Sequence, residues 1–280
     1  MNEQRKHMKF SVFLRKNGRT IIGGFIIAMV VFCSIFAPLL TSWDPEKESL
    51  TEMNELPSSE HIMGTDKFGR DIWARVLYGS RTTLIVSIGA EVFLVIVGTI
   101  LGLACGYYKR LEKVLMRILD AFATVPNLLL CMLMISVFGP GIIQMIIALA
   151  IHGIPGLARM VRNQVLSLRE KEYIESEYAM GASDLRTLFK HILPACSSYL
   201  LVRFSNGLAG MVLSMTSLSF LGIGLDPTIA SWGGIVQDGQ SIMFAFPHLV
   251  FFPALAICIT VFGFAMLGDG LRDRFDPRLR

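Results

Sequence analysis

Long apolar runs alternate with short polar segments along this chain, and most runs match the length of a helix that crosses a bilayer. They fall at about residues 20–40, 84–107, 119–138, 142–157, 199–218 and 249–267. About 20 apolar residues span a hydrocarbon core, and only the fourth run is short of that. Gly139-Pro140-Gly141 predicts a tight turn between the third and fourth runs. The predicted fold class is all-α, an integral membrane protein of about six transmembrane helices. The expected order is an N-terminal segment 1–19, a first span 20–40, an external loop 41–83, a core 84–267 with a polar elbow at about 161–198, and a tail 268–280.

Composition agrees with lipid as the solvent. Of 280 residues 53% are hydrophobic and 17% charged, with a mean hydropathy of +0.56. One soluble core of this size does not hide so much apolar surface. Arg15, Lys16 and Arg19 precede the first run as they do in a signal peptide. The run is too long for such a segment and is followed by Pro38 and Trp43 rather than a small-residue cleavage site, so a retained helix is expected.

Charge sets the expected direction. Basic groups cluster before the first run and after the second, fourth and sixth, for example Arg5 and Lys9, Lys109 and Arg110, Arg186 and Lys190, and Arg272 and Arg278. Positive residues stay on the cytosolic side, which predicts both termini in the cytosol. Loop 41–83 then lies outside, with Lys47, Lys67, Arg70, Arg75 and Arg81 mixed among acids such as Glu52 and Asp66.

The polar elbow reads as two helices joined by a turn. Gly181 ends the first with a positive φ. Ser183 caps the second, and Asp184 favours the positive end of its dipole. Leu185, Leu188, Phe189 and Ile192 recur at helical spacing on one face, and Pro194 is expected to stop the helix. Such a stripe either enters a partner's groove or folds back on the protein's own helix ends.

Three charges fall within the runs. Glu91 lies within the second and Asp120 near the end of the third. An intramembrane acid is a functional candidate, here weighed against a hydrogen-bonded helix contact. Arg203 reads as an interfacial anchor or as a charge lining a water-filled path. In the loop, Gly64-Thr65-Asp66 and Gly69-Arg70-Asp71 favour tight turns closed by Asp side chains. They form either a surface that meets a partner or shapes an outer gate, or an architecture held by Arg70–Asp pairs. Trp232 beside Gly233-Gly234 reads as an interfacial aromatic anchor.

Familiar catalytic constellations are missing. There is no G-x-x-x-x-G-K-[ST] loop, no H-E-x-x-H and no G-x-S-x-G, so neither ATP binding by that route nor hydrolysis is expected. The five cysteines form no C-x-x-C pair and the five histidines have no partner at i+4. No cofactor, metal or nucleic acid is expected.

Glu175, Gly181 and His191-Ile192-Leu193-Pro194 follow the spacing of the E-A-A…G…I-x-L-P signature of permease subunits of binding-protein-dependent ABC importers. Ser176 and Glu177 replace its two alanines, and His191 stands where Ile is usual. His61-Ile62-Met63-Gly64-Thr65-Asp66-Lys67-Phe68-Gly69-Arg70-Asp71 resembles a stretch of the dipeptide, oligopeptide and nickel permeases. So do Ser217 to Gly224, Ser231-Trp232-Gly233, Gly268 to Asp273 and Asp276-Pro277-Arg278, while Ala265 departs from a usual Asn.

The resemblance implies a type I ABC importer permease of a prokaryotic cell membrane, with a cytosolic coupling helix between spans four and five. It implies a second homologous permease, two cytosolic ATPase subunits and an extracytoplasmic solute-binding protein. Glu175, Gly181, Ala182, Ser183, Asp184, Leu185, Leu188 and Phe189 would couple to the ATPase. Gly64, Thr65, Asp66, Gly69, Arg70 and Asp71 would face the outer partner, and Glu91 is a pathway candidate. The implied cargo is a short peptide, with nickel or a metal chelate as the alternative. A reading from another class is a stand-alone proton-coupled transporter using Glu91 and Asp120 as a relay.

Overall fold

The computed structural model describes residues 2–275. Those residues are helical or in loops, apart from one isolated antiparallel bridge between Thr65 and Asp71. α1 (Asn2–Ile35) and the short α2 (Ala37–Leu40) precede loop 41–71. α3 (Ile72–Tyr107) and α6 (Ile142–Arg169) form the central pair. α4 (Lys109–Thr124) and α5 (Asn127–Phe138) connect them. After α6 come α7 (Glu172–Ala179), α8 (Asp184–Thr187), a π-helical turn (Leu188–Ile192) and α9 (Leu193–Phe220). α10 (Trp232–Gln240) and α11 (His248–Phe275) complete the order.

Small residues set the central seam. Along α3, Gly98, Gly102 and Gly106 meet Leu157, Val161 and Val165 of α6. A Cβ at Gly102 would lie 2.6 Å from the Val161 Cβ and 2.7 Å from the Ala158 carbonyl oxygen. In lipid no hydrophobic drive separates helix from solvent, so this close backbone approach supplies the association through van der Waals contact. α1 and α11 meet the same way, with Gly23 against the backbone of Gly263 and Leu267. Buried apolar residues from α3, α6 and α9 make one core, and Ile72, Trp232, Leu249 and Phe264 anchor a second.

Among the described residues, four helices are long and apolar enough to span a membrane, in α1, α3, α6 and α11, or five if the bent α4–α5 pair counts as one span. α9 has 28 residues, about 42 Å of helix, but too many polar groups to qualify by hydropathy.

Several sequence boundaries are corrected. α3 starts at Ile72, so the segment 72–83 is helix rather than loop. Asp71 caps it, its Oδ1 accepting from Ala74 N at 2.7 Å. Arg81 made that segment look solvated, yet it donates to the Ser34 and Ile35 carbonyls at the end of α1. The third run bends by 96° between α4 and α5. Pro126 supplies no N–H there and forces its predecessor out of helix.

α6 runs to Arg169, so residues 161–169 belong to a long helix and not to the elbow. Val161 and Val165 are buried on its inner side, while Arg159 pairs with Asp120 and Arg162 with Glu112. Pro194 does not stop the elbow helix but stands in the first turn of α9. The wider π turn before it absorbs the missing N–H. α11 continues to Phe275, past the expected end at 267; Asp276-Pro277-Arg278 lie outside the described residues. Trp232 is fully buried and donates from Nε1 to the Val76 carbonyl at 3.0 Å, so it is a core residue and not an interfacial anchor.

Candidate functional site

The elbow projects where α6 turns back toward α9. Gly181 has φ +81, with nothing within 4 Å of an added Cβ, so the residue is set by backbone conformation and not by crowding. Ser183 occupies the N-cap position in extended conformation, but its side chain makes no cap bond. Asp184 instead reaches across to α3, where Tyr107 Oη donates to its Oδ1 at 2.8 Å. Arg169 at the end of α6 donates to the Tyr107 carbonyl at 2.9 Å and stacks its guanidinium over the Tyr107 ring. One tyrosine thus joins α3, α6 and α8.

The apolar stripe expected on the elbow divides in two. Leu188 and Ile192 are buried in the core, while Leu185 and Phe189 are 64% and 61% exposed. Half of the stripe thus folds back on the protein's own core, and the other half is left exposed. Leu185 and Phe189 also border an apolar groove of about 410 Å³ against Ile96, Ile100 and Leu103 of α3. Glu175 and Met180 stand exposed on the elbow, Ala182 is half-buried, and His191 Nε2 lies 3.3 Å from Glu177 Oε1.

Loop 41–71 is held by a buried charge cluster. Arg70 Nε donates to Asp66 Oδ2 at 2.7 Å, and its Nη2 donates to Asp238 Oδ2 at 2.8 Å. Asp66 Oδ1 also accepts from the backbone N–H groups of Phe68 and Arg70, closing an Asx-turn. Arg75, buried to 1% exposure, lies 3.7 Å from Asp66 and 3.6 Å from Asp238. Lys67 reaches Asp238 from the rim at 3.1 Å. His61 Nδ1 donates to Asp71 Oδ2 at 2.9 Å.

Gly64, Thr65, Asp66, Gly69, Arg70 and Asp71 are all buried within this loop and its contacts. The architecture held by Arg70–Asp pairs is what their geometry displays; the exposed loop side chains are others, such as Leu50, Leu56 and Ile62. Asp238 on α10 had no distinguishing pattern in the sequence. Only its standing as an acid between two apolar runs hinted at a buried partner.

Glu91 and Arg203 are brought together. Glu91 on α3 is fully buried, and its Oε1 accepts from Arg203 Nη1 of α9 at 3.1 Å. Arg203 is therefore not a free interfacial anchor, and the buried acid is a helix contact. A Cβ at Gly207 would lie 2.0 Å from Glu91 Oε1, so glycine there makes the room for the pair. Asp120 pairs with Arg159 instead. The two acids of a would-be relay are thus held by different arginines.

Residues 95–280 match the model of the binding-protein-dependent transport system inner membrane component. Residues 13–57 match that of the N-terminal transmembrane domain of oligopeptide transport permease C. A glutathione transport system permease protein of Pectobacterium atrosepticum is 39% identical over 270 residues, covering 96% of this chain and 89% of the relative. A dipeptide transport system permease protein of Alkalihalophilus pseudofirmus is 38% identical over 268 residues, 95% and 88% of the two chains. An oligopeptide transport system permease protein of Bacillus subtilis is 38% identical over 267 residues, again 95% and 88%.

The chain belongs to the family of inner membrane components of binding-protein-dependent transport systems. It is a membrane-embedded ABC importer permease.

Proposed function

We propose that this chain forms half of the passage by which an ABC importer takes up short peptides. The carrying observation is its similarity, across nearly its full length, to permeases named for glutathione, dipeptide and oligopeptide transport. Those names favour peptides over nickel or metal chelates. A second homologous permease completes the passage. An extracytoplasmic binding protein delivers cargo, two cytosolic ATPases supply the energy, and this chain itself is not a catalyst. The bent α4–α5 pair and the polar α9 then bring the spans to six, with both termini in the cytosol.

The elbow is the coupling helix. Its exposed Leu185 and Phe189 enter a groove on an ATPase, and the buried Leu188 and Ile192 carry the motion into the core. The Tyr107–Asp184 hydrogen bond passes it to α3. A lever built this way switches the passage between outward and inward access when the ATPases close.

Deletion of the gene tests this reading. Membrane vesicles that lack the chain are expected to lose ATP-dependent uptake of radiolabelled short peptides and to regain it on complementation. Peptide uptake that is unchanged while uptake of nickel or a metal chelate is lost overturns the peptide assignment.

A further inference from the structure

α9 presents an outward face unlike those of α1, α3 and α11. α1 exposes Phe25, Met29 and Phe32; α3 exposes Ile85, Ile96 and Ile100; α11 exposes Phe251, Leu255 and Phe262. On α9, Tyr199, Arg203, Asn206, Gly210, Leu213 and Ser217 share one face of the helix. Each is at least partly exposed, and the large apolar side chains among them are Tyr199, which carries a hydroxyl, and Leu213. An arginine and an asparagine turned toward hydrocarbon are costly, so charged and polar positions on a spanning helix face water or protein.

Arg203 is the charged member of this face. Its Nη1 is engaged by Glu91, which lies behind it and is sealed from solvent. The side chain remains 30% exposed, and among the described residues its Nε and Nη2 have no acceptor. That free edge is the fork that accepts a carboxylate through two parallel hydrogen bonds. Glu91 fixes the guanidinium plane so that less rotamer freedom is lost when an anion arrives. Gly207 leaves space for both groups.

We propose that Arg203, oriented by Glu91, is the residue of the passage that takes the C-terminal carboxylate of a peptide as it moves along α9. This rests on the peptide-importer reading above. Glu91 is a positioning residue; Arg203 touches the cargo.

The test uses the whole importer in proteoliposomes, with one binding protein throughout, and compares a short peptide with its C-terminal amide. The unaltered importer is expected to carry the acid with a KM about tenfold below that of the amide, the weight of one charge-assisted hydrogen bond. Arg203→Gln combined with Glu91→Gln leaves no buried charge unpaired, and the two KM values should converge. Arg203→Lys keeps the charge without the fork and should fall between. An unaltered importer indifferent to the amide, or a double variant that still discriminates, overturns the assignment.

A second readout is independent of transport. With the five native cysteines replaced, Asn206→Cys and Ser217→Cys should react with a membrane-impermeant thiol reagent, and Ile100→Cys should not. Peptide uptake without reaction at 206 and 217 means that α9 does not line the path, and the Arg203 role falls alone. Reaction at both sites with no peptide carried at all overturns the peptide reading, and the carboxylate assignment falls with it.

Discussion

Tyr107 Oη donates a 2.8 Å hydrogen bond to Asp184 Oδ1, linking the last residue of α3 to the first residue of the elbow helix α8. Arg169 of α6 holds the same tyrosine by its carbonyl and its ring, so Tyr107 ties three helices together. Tyr107→Phe removes the hydroxyl and keeps the ring, at a cost of about 1 kcal/mol. The importer is expected to assemble normally but to hydrolyse more ATP per peptide carried. Measuring both rates on one preparation checks this; an unchanged ratio removes Tyr107 from the lever.

Gly181 gives a sharper version of the same test. Its φ of +81 is the left-handed region, while the space around it is empty. A side chain there costs about 1–2 kcal/mol through backbone conformation alone. Gly181→Val is therefore expected to impair coupling more than Gly181→Asn, since asparagine tolerates this region and valine does not. Equal damage by both variants in the ATP-to-peptide ratio would point to a contact with the partner surface instead.

The elbow's turn and amphipathic stripe were legible in the sequence, and its detailed geometry was not. Gly181 and the run 185–192 marked a turn and an amphipathic helix. Nothing marked the π turn at 188–192, which arises because Pro194 cannot donate and the chain continues regardless. α6 was cut short for a related reason. Its arginines looked solvated, whereas Arg162 and Arg169 are neutralised or bonded by neighbours distant in sequence. The Glu91–Arg203 pair joins residues 112 apart, and Arg70–Asp238 joins residues 168 apart. Helical periodicity carries no information about such pairs.

The loop cluster separates buried from rim charges. Asp238 faces Arg70 and Arg75, both buried, and Lys67 at the edge. Asp238→Ala leaves two guanidinium groups short of an acceptor and should destabilise the chain by about 3 kcal/mol. Lys67→Ala should cost less than about 1 kcal/mol, as exposed pairs do. Thermal unfolding in detergent of the two variants gives the comparison. Similar midpoints would mean that the cluster does not hold the loop.

The seam between α3 and α6 leaves no room for growth. At Gly102 an added methyl meets both a side-chain Cβ and a backbone carbonyl, and neither is the tip of a flexible group. Gly102→Leu is expected to prevent a stable fold, seen as loss of the chain from the membrane fraction. Gly156→Leu on α6, where nothing lies within 4 Å of an added Cβ, should accumulate normally.

Reconstitution with and without partners tests most directly whether this polypeptide is moved by energy from outside itself. The purified chain alone should neither hydrolyse ATP nor take up peptide when a pH gradient is imposed across the vesicle. Adding the second permease, the ATPases and the binding protein should restore ATP-driven uptake. Gradient-driven accumulation by the chain alone would contradict it.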